Sequence, residues 1–97
     1  MHTVTVADVP QGVQLIDVRE PDEYATAHAA GAINIPMSQF VTQLAQVDTS
    51  RPVYLICQAG GRSAHCAEYL EQAVPQASVY NVSGGTQAWL AAGLPTE

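Results

Sequence analysis

The chain has 97 residues, 47% of them hydrophobic and 12% charged, with three Lys+Arg against nine Asp+Glu for a net charge of −6. That is the length of one compact domain, residues 1–97, able to bury roughly 60–70% of its unfolded surface without disulfide or metal staples. The acidic balance disfavours nucleic acid and anionic membranes as partners, and no stretch approaches the roughly 20 apolar residues of a membrane span.

Short apolar runs alternate with helix-length segments, which predicts an α/β fold with a largely parallel sheet. Val4 to Val6 is a short strand candidate at an edge, and Val13 to Val18 is a second, buried one. Glu20-Pro21-Asp22-Glu23 opens a helix, since Pro suits the first turn and acids favour its positive end. Ile33 to Ile35 reads as a brief strand stopped by Pro36. Ser38 is a candidate N-cap for a helix with Phe40, Val41, Leu44 and Val47 on one stripe. Arg51-Pro52 breaks that helix, and Val53-Tyr54-Leu55-Ile56 is the strongest strand signal in the chain. Ser63 to Ala73 is helical, with Cys66, Ala67, Leu70 and Val74 on one face. Ser78 to Val82 is the last strand. Gly84-Gly85 then turns into a short helix bearing Trp89 and Leu90, closed by Gly93 and Pro95. The pattern gives about five strands and four or five helices.

Chemistry concentrates where the strongest strand ends. Cys57 closes it, Gln58, Ala59, Gly60 and Gly61 follow, and Arg62-Ser63 starts a helix. Parallel sheets place ligands beyond the carboxyl ends of their strands. The two glycines let successive N–H groups converge, and the unpaired N–H groups of the first helical turn add to the positive potential. The expected product is an anion cradle with a sulfur atom at its floor. Such surroundings lower a thiol pKa, typically to about 3.5–7.5, so that the thiolate can attack. The bland alternative is a small buried hydrophobe at a strand end; the glycines and the Arg beside it favour the reactive reading.

Cys57 and Cys66 are too few for a disulfide framework and lack the paired spacing of a metal site. Met1-His2-Thr3-Val4 has no basic region leading into an apolar stretch. A reducing compartment, the cytoplasm, is therefore the expected location, with no metal and no cofactor.

Four blocks then carry a family resemblance. Leu15-Ile16-Asp17-Val18-Arg19-Glu20-Pro21-Asp22-Glu23-Tyr24 resembles the first signature of the rhodanese-homology domain. His28 with Gly31-Ala32-Ile33-Asn34-Ile35-Pro36 resembles the second. Cys57 to Ser63 matches the C-x-x-G-x-R-S active loop of many bacterial single-domain members, and Gly84-Gly85-Thr86-Gln87-Ala88-Trp89 with Ala92-Gly93-Leu94-Pro95 resembles the closing block. The resemblance implies a five-stranded, mostly parallel sheet flanked by helices on both faces. It also implies a persulfide on Cys57, formed from a small anionic donor such as thiosulfate and removed by cyanide, another thiol or a protein sulfur acceptor. Ala27-His28-Ala29-Ala30-Gly31 stands where the family usually has Gly-His-Ile-Pro-Gly, a departure that touches the shape of a connecting turn. The segment between the first two strands is short, which predicts a trimmed helix there.

Under this reading Cys57 is nucleophile and sulfur carrier, and Gln58, Ala59, Gly60, Gly61, Arg62 and Ser63 supply backbone donors. Arg62 is also a candidate to attract the donor's sulfonate, against the alternative of a solvated helix-start residue. Asp17 and Arg19 end a strand beside the loop and are expected to buttress it, with Arg19 paired to Glu23. His28 is expected to be structural, His65 solvated, and Cys66 and Trp89 core. A pre-ionised thiolate needs no general base. Two other functions compete. A non-catalytic rhodanese-like binding module would typically have lost the cysteine. A Cys-dependent phosphatase or arsenate reductase would place one residue more between Cys and Arg than the four found here.

Overall fold

The computed structural model describes residues 1–97. Its five strands are β1 (His2–Thr5), β2 (Gln14–Asp17), β3 (Ile33–Asn34), β4 (Val53–Ile56) and β5 (Val79–Ser83). They form one sheet in the order β1-β5-β4-β2-β3, with every pairing parallel. All four residues of β2 and of β4 are buried, as central parallel strands covered on both faces should be.

Alternate side chains feed two cores. Ile16, Val18, Val53, Leu55 and Val79 pack with Cys66, Ala67 and Leu70 of α2 (Gly61–Ala73) and with Phe40 and Val47. Leu15, Tyr54, Ile56 and Val82 pack on the other face with Trp89 of α3 (Gly85–Ala91) and Tyr24 of α1 (Pro21–Thr26). Helices thus flank both faces of the sheet, as expected, and β1 is an edge strand.

Three local expectations are corrected. The first strand runs His2–Thr5, and Val6–Asp8 is a 3-10 turn, the only helical piece between the first two strands. No α-helix follows Ser38. Residues Met37–Gln39 and Leu44–Gln46 form two 3-10 turns instead, and Ser38 caps nothing; its hydroxyl reaches the Glu20 carboxylate at 3.4 Å. Gln43 sits between the turns at φ −105°, ψ 18°, off the α-helical path. Val41 and Thr42 disfavour a helix by their branching, and the Thr42 hydroxyl donates to Gln39 O. Finally, α2 begins at Gly61, two residues earlier than expected, so Arg62 and Ser63 already lie in its first turn.

Candidate active site

Cys57 leaves β4 at the carboxyl edge of the sheet, and the chain folds back over it into α2. Gly60 caps that helix at φ +121°, a conformation that favours glycine and aims its N–H at the Cys57 sulfur, 3.1 Å away. The Ser63 hydroxyl lies 3.3 Å from the same sulfur. Burial opposes ionisation of Cys57, yet the Ser63 hydroxyl and the N–H groups of Ser63, Gly60 and Ala59 outweigh it. The thiol is pulled below its ordinary value of 9.0. Cys66 is treated oppositely: burial, with the nearby Cys57 charge, pushes it up to about 11. One cysteine is prepared to ionise and the other is kept a thiol.

The loop is held from below by α3. Thr86 donates its N–H and its hydroxyl to Cys57 O at 2.8 and 3.0 Å, and Gln87 N–H donates to Gln58 O at 3.0 Å. This docking explains Gly85. A Cβ on Gly85 would stand 2.5 Å from Cys57 O, and its φ of +58° suits glycine. From β5, the Asn81 amide donates to Gly60 O at 3.2 Å and turns its Oδ1 to the Ser63 hydroxyl at 2.5 Å. Asn81, Gly85 and Thr86 are residues that sequence reasoning did not place in the site. The strand-to-helix block Asn81–Thr86, parallel to Cys57–Ser63, was the available signal.

Asp17 and Arg19 do stand beside the loop. Both Asp17 oxygens receive the Arg19 guanidinium at 2.9–3.1 Å, and Arg19 Nη1 reaches Gln58 Oε1 at 3.4 Å. The expected Arg19–Glu23 pair is therefore wrong. Arg19 is spent on Asp17 and on Ala27 O, and Glu23 instead binds Arg62 through two bonds of 2.7 and 3.0 Å. That ion pair, with the Glu20 N–H, holds the Glu23 carboxyl down at about 2 against the burial that would raise it. Gln58, Ala59 and Gly61 are exposed around the sulfur, and His65 is exposed one turn along α2.

His28 is structural: its Nδ1 lies 2.8 Å from Tyr24 O and its ring stacks on Tyr24. The unusual Ala27–Gly31 turn is tied to the C-terminal residues by His28 N–H to Glu97 O and Ala30 N–H to Pro95 O. Trp89 is core, with its Nε1–H on Pro95 O. No group of three or more His, Cys, Asp or Glu could hold a metal ion. A cavity of about 600 Å³ lies elsewhere, between Val6, Val9, Leu15, Gly31, Trp89 and Leu94.

Comparison with known proteins agrees with this fold. Residues 7–92 match the model of the rhodanese-like domain. The chain belongs to the rhodanese-like domain family. It is 40% identical to YqhL of Bacillus subtilis over 92 residues, covering 92% of this chain and 72% of that protein. A rhodanese-related protein of Thermoplasma volcanium superposes with a TM-score of 0.91 at 30% identity, covering 100% of this chain and 98% of the other. A rhodanese-like domain protein of Staphylococcus aureus gives 0.79 at 32% identity, covering 92% and 91%. The shared family accounts for the parallel five-stranded fold.

Proposed function

We propose that this rhodanese-like domain is a sulfurtransferase that carries sulfane sulfur as a persulfide on Cys57. The observation that carries the reading is the sulfur itself: Cys57 Sγ sits under the Gly60 N–H and the Ser63 hydroxyl, at the start of α2, with its pKa lowered. The Cys57 thiolate attacks the outer sulfur of a donor such as thiosulfate. The donor's S–S bond breaks, its electron pair leaves with sulfite, and Cys57–S–S⁻ remains. A thiophile, cyanide or a thiol, then takes the terminal sulfur and returns the thiolate.

The positive potential at the first turn of α2 that favours the thiolate also favours the terminal sulfur anion of the persulfide, one S–S bond further out. Four residues between Cys57 and Arg62 make a ring fitted to one sulfur atom, whereas a phosphoryl group brings three peripheral oxygens. A thiol acceptor and two free cysteines suit a reducing compartment, and we assign the protein to the cytoplasm. A thiosulfate:cyanide assay run beside an aryl phosphatase assay tests the reading. Sulfur transfer that disappears in Cys57→Ser while the fold persists is expected, with phosphatase activity at background. Cys57-dependent phosphatase turnover would contradict it.

A further inference from the structure

The chain contains no lysine, and each of its three arginines is already bound to a carboxylate. Arg19 sits on Asp17, Arg51 on Asp48 at 3.0 Å, and Arg62 on Glu23 at 2.7 Å. Arg62 is the one cation in the Cys57–Ser63 loop and is near enough for the Cys57 and Asp17 charges to act on it. One N–H from each of its two terminal nitrogens goes to the two Glu23 oxygens, so its charge is already paired. The uncompensated positive potential at the site comes from the Gly60 N–H, its neighbours and the Ser63 hydroxyl, donors that converge on one sulfur atom. Beyond them no free cation faces the site, and the whole chain carries a charge of −6. Thiosulfate is a dianion whose second charge lies on sulfonate oxygens outside that ring.

Building on the sulfurtransferase reading, we propose that Glu23 sets the sulfur donor by occupying Arg62, turning the site from thiosulfate toward organic persulfides, R–S–SH. Such a donor brings at most one charge to the reacting end. The Cys57 thiolate attacks its outer sulfur, the donor's S–S bond breaks with its electron pair going to the inner sulfur, and RS⁻ leaves to be protonated by solvent. The new Cys57 persulfide keeps the proton or gives it to water.

Glu23→Gln is the direct test, because the Gln side-chain oxygen can still accept the Glu20 N–H and keep the start of α1 capped. Loading of Cys57 is followed by intact mass with two donors, thiosulfate and 2-hydroxyethyl hydropersulfide. Relative to wild type, Glu23→Gln should raise kcat/KM for thiosulfate by roughly two- to fivefold, the range expected of a screened, partly exposed charge pair. The gain should come through KM, with the persulfide values unchanged. It should vanish when Arg62→Gln is added, since Glu23 acts through Arg62. Added salt should favour thiosulfate over the persulfide in the wild-type protein, a readout that needs no variant. An unchanged donor ratio in Glu23→Gln, or a gain that survives Arg62→Gln, overturns the proposal alone. Failure of Cys57 to accept sulfur from either donor overturns the sulfurtransferase reading beneath it.

Discussion

Ser63 has one hydroxyl proton and three acceptors around it: Cys57 Sγ at 3.3 Å, Gly60 O at 3.2 Å and Asn81 Oδ1 at 2.5 Å. A proton given to Asn81 is withheld from the thiolate, so the two compete for it. Ser63→Ala should therefore raise the Cys57 pKa, shifting the pH midpoint of its alkylation by iodoacetamide upward. Asn81→Leu, which removes the rival acceptor, should shift it downward, and should have no effect in a Ser63→Ala background. A downward shift that persists there would show that Asn81 acts on the sulfur by another route. Cys66 is 3% exposed among Ala67, Leu70 and Phe40. Cys66→Ser should cost roughly 1–3 kcal/mol in thermal or urea unfolding, with sulfur transfer per folded molecule near wild type. Loss of turnover at unchanged stability would instead make Cys66 a participant. Cys57 and its loop were legible from a few adjacent residues because strand, glycines and helix start are all local signals. Asn81 was not, since its part depends on the pairing of β5 with β4, which brings Asn81 opposite Leu55.

Between elements, the start of α3 is docked on the Cys57 and Gln58 carbonyls, and Gly85 permits the close approach. Gly85→Ala would drive a methyl group into backbone and force a strained φ. A loss of at least about 2 kcal/mol is expected, with slower persulfide formation in the molecules that fold. Wild-type stability with full activity would mean that the loop does not rest on α3. A second ion pair joins α1 to α2. The Glu23 pKa falls from 4.5 unfolded to about 2 folded, so its contribution is fully present above pH 4.5 and lost as pH drops toward 2. Because the pair is half-exposed, its worth is at most about 1 kcal/mol. Glu23→Gln should flatten that part of the stability–pH curve, and an identical curve would show the pair to be energetically silent. The choice of partner, Arg62 over Arg19, spans 39 residues and leaves no local trace in the sequence. The segment after Ser38 misled for a different reason. Phe40 and Val47 are buried at helical spacing, but Val41 is 58% exposed, and the two 3-10 turns bury the first pair without a continuous helix.

At the scale of the whole molecule, the architecture was readable because a parallel sheet buried on both faces writes its central strands as unbroken apolar runs. Val53 to Ile56 and Leu15-Ile16 are such runs; β4 matches its expected range, β2, β3 and β5 differ by one residue, and the exposed edge strand β1 moved furthest. Charge was legible as a total of −6 but not as a distribution, and the distribution is what leaves Cys57 surrounded by neutralised arginines. The central claim is that one sulfur, Cys57 Sγ, is prepared to carry another. Intact mass spectrometry with peptide mapping, after incubation with thiosulfate or 2-hydroxyethyl hydropersulfide, tests it most directly. The expected result is the mass of one added sulfur atom, mapped to Cys57 and removed by cyanide. A label on Cys66, or no added mass from either donor, would contradict it.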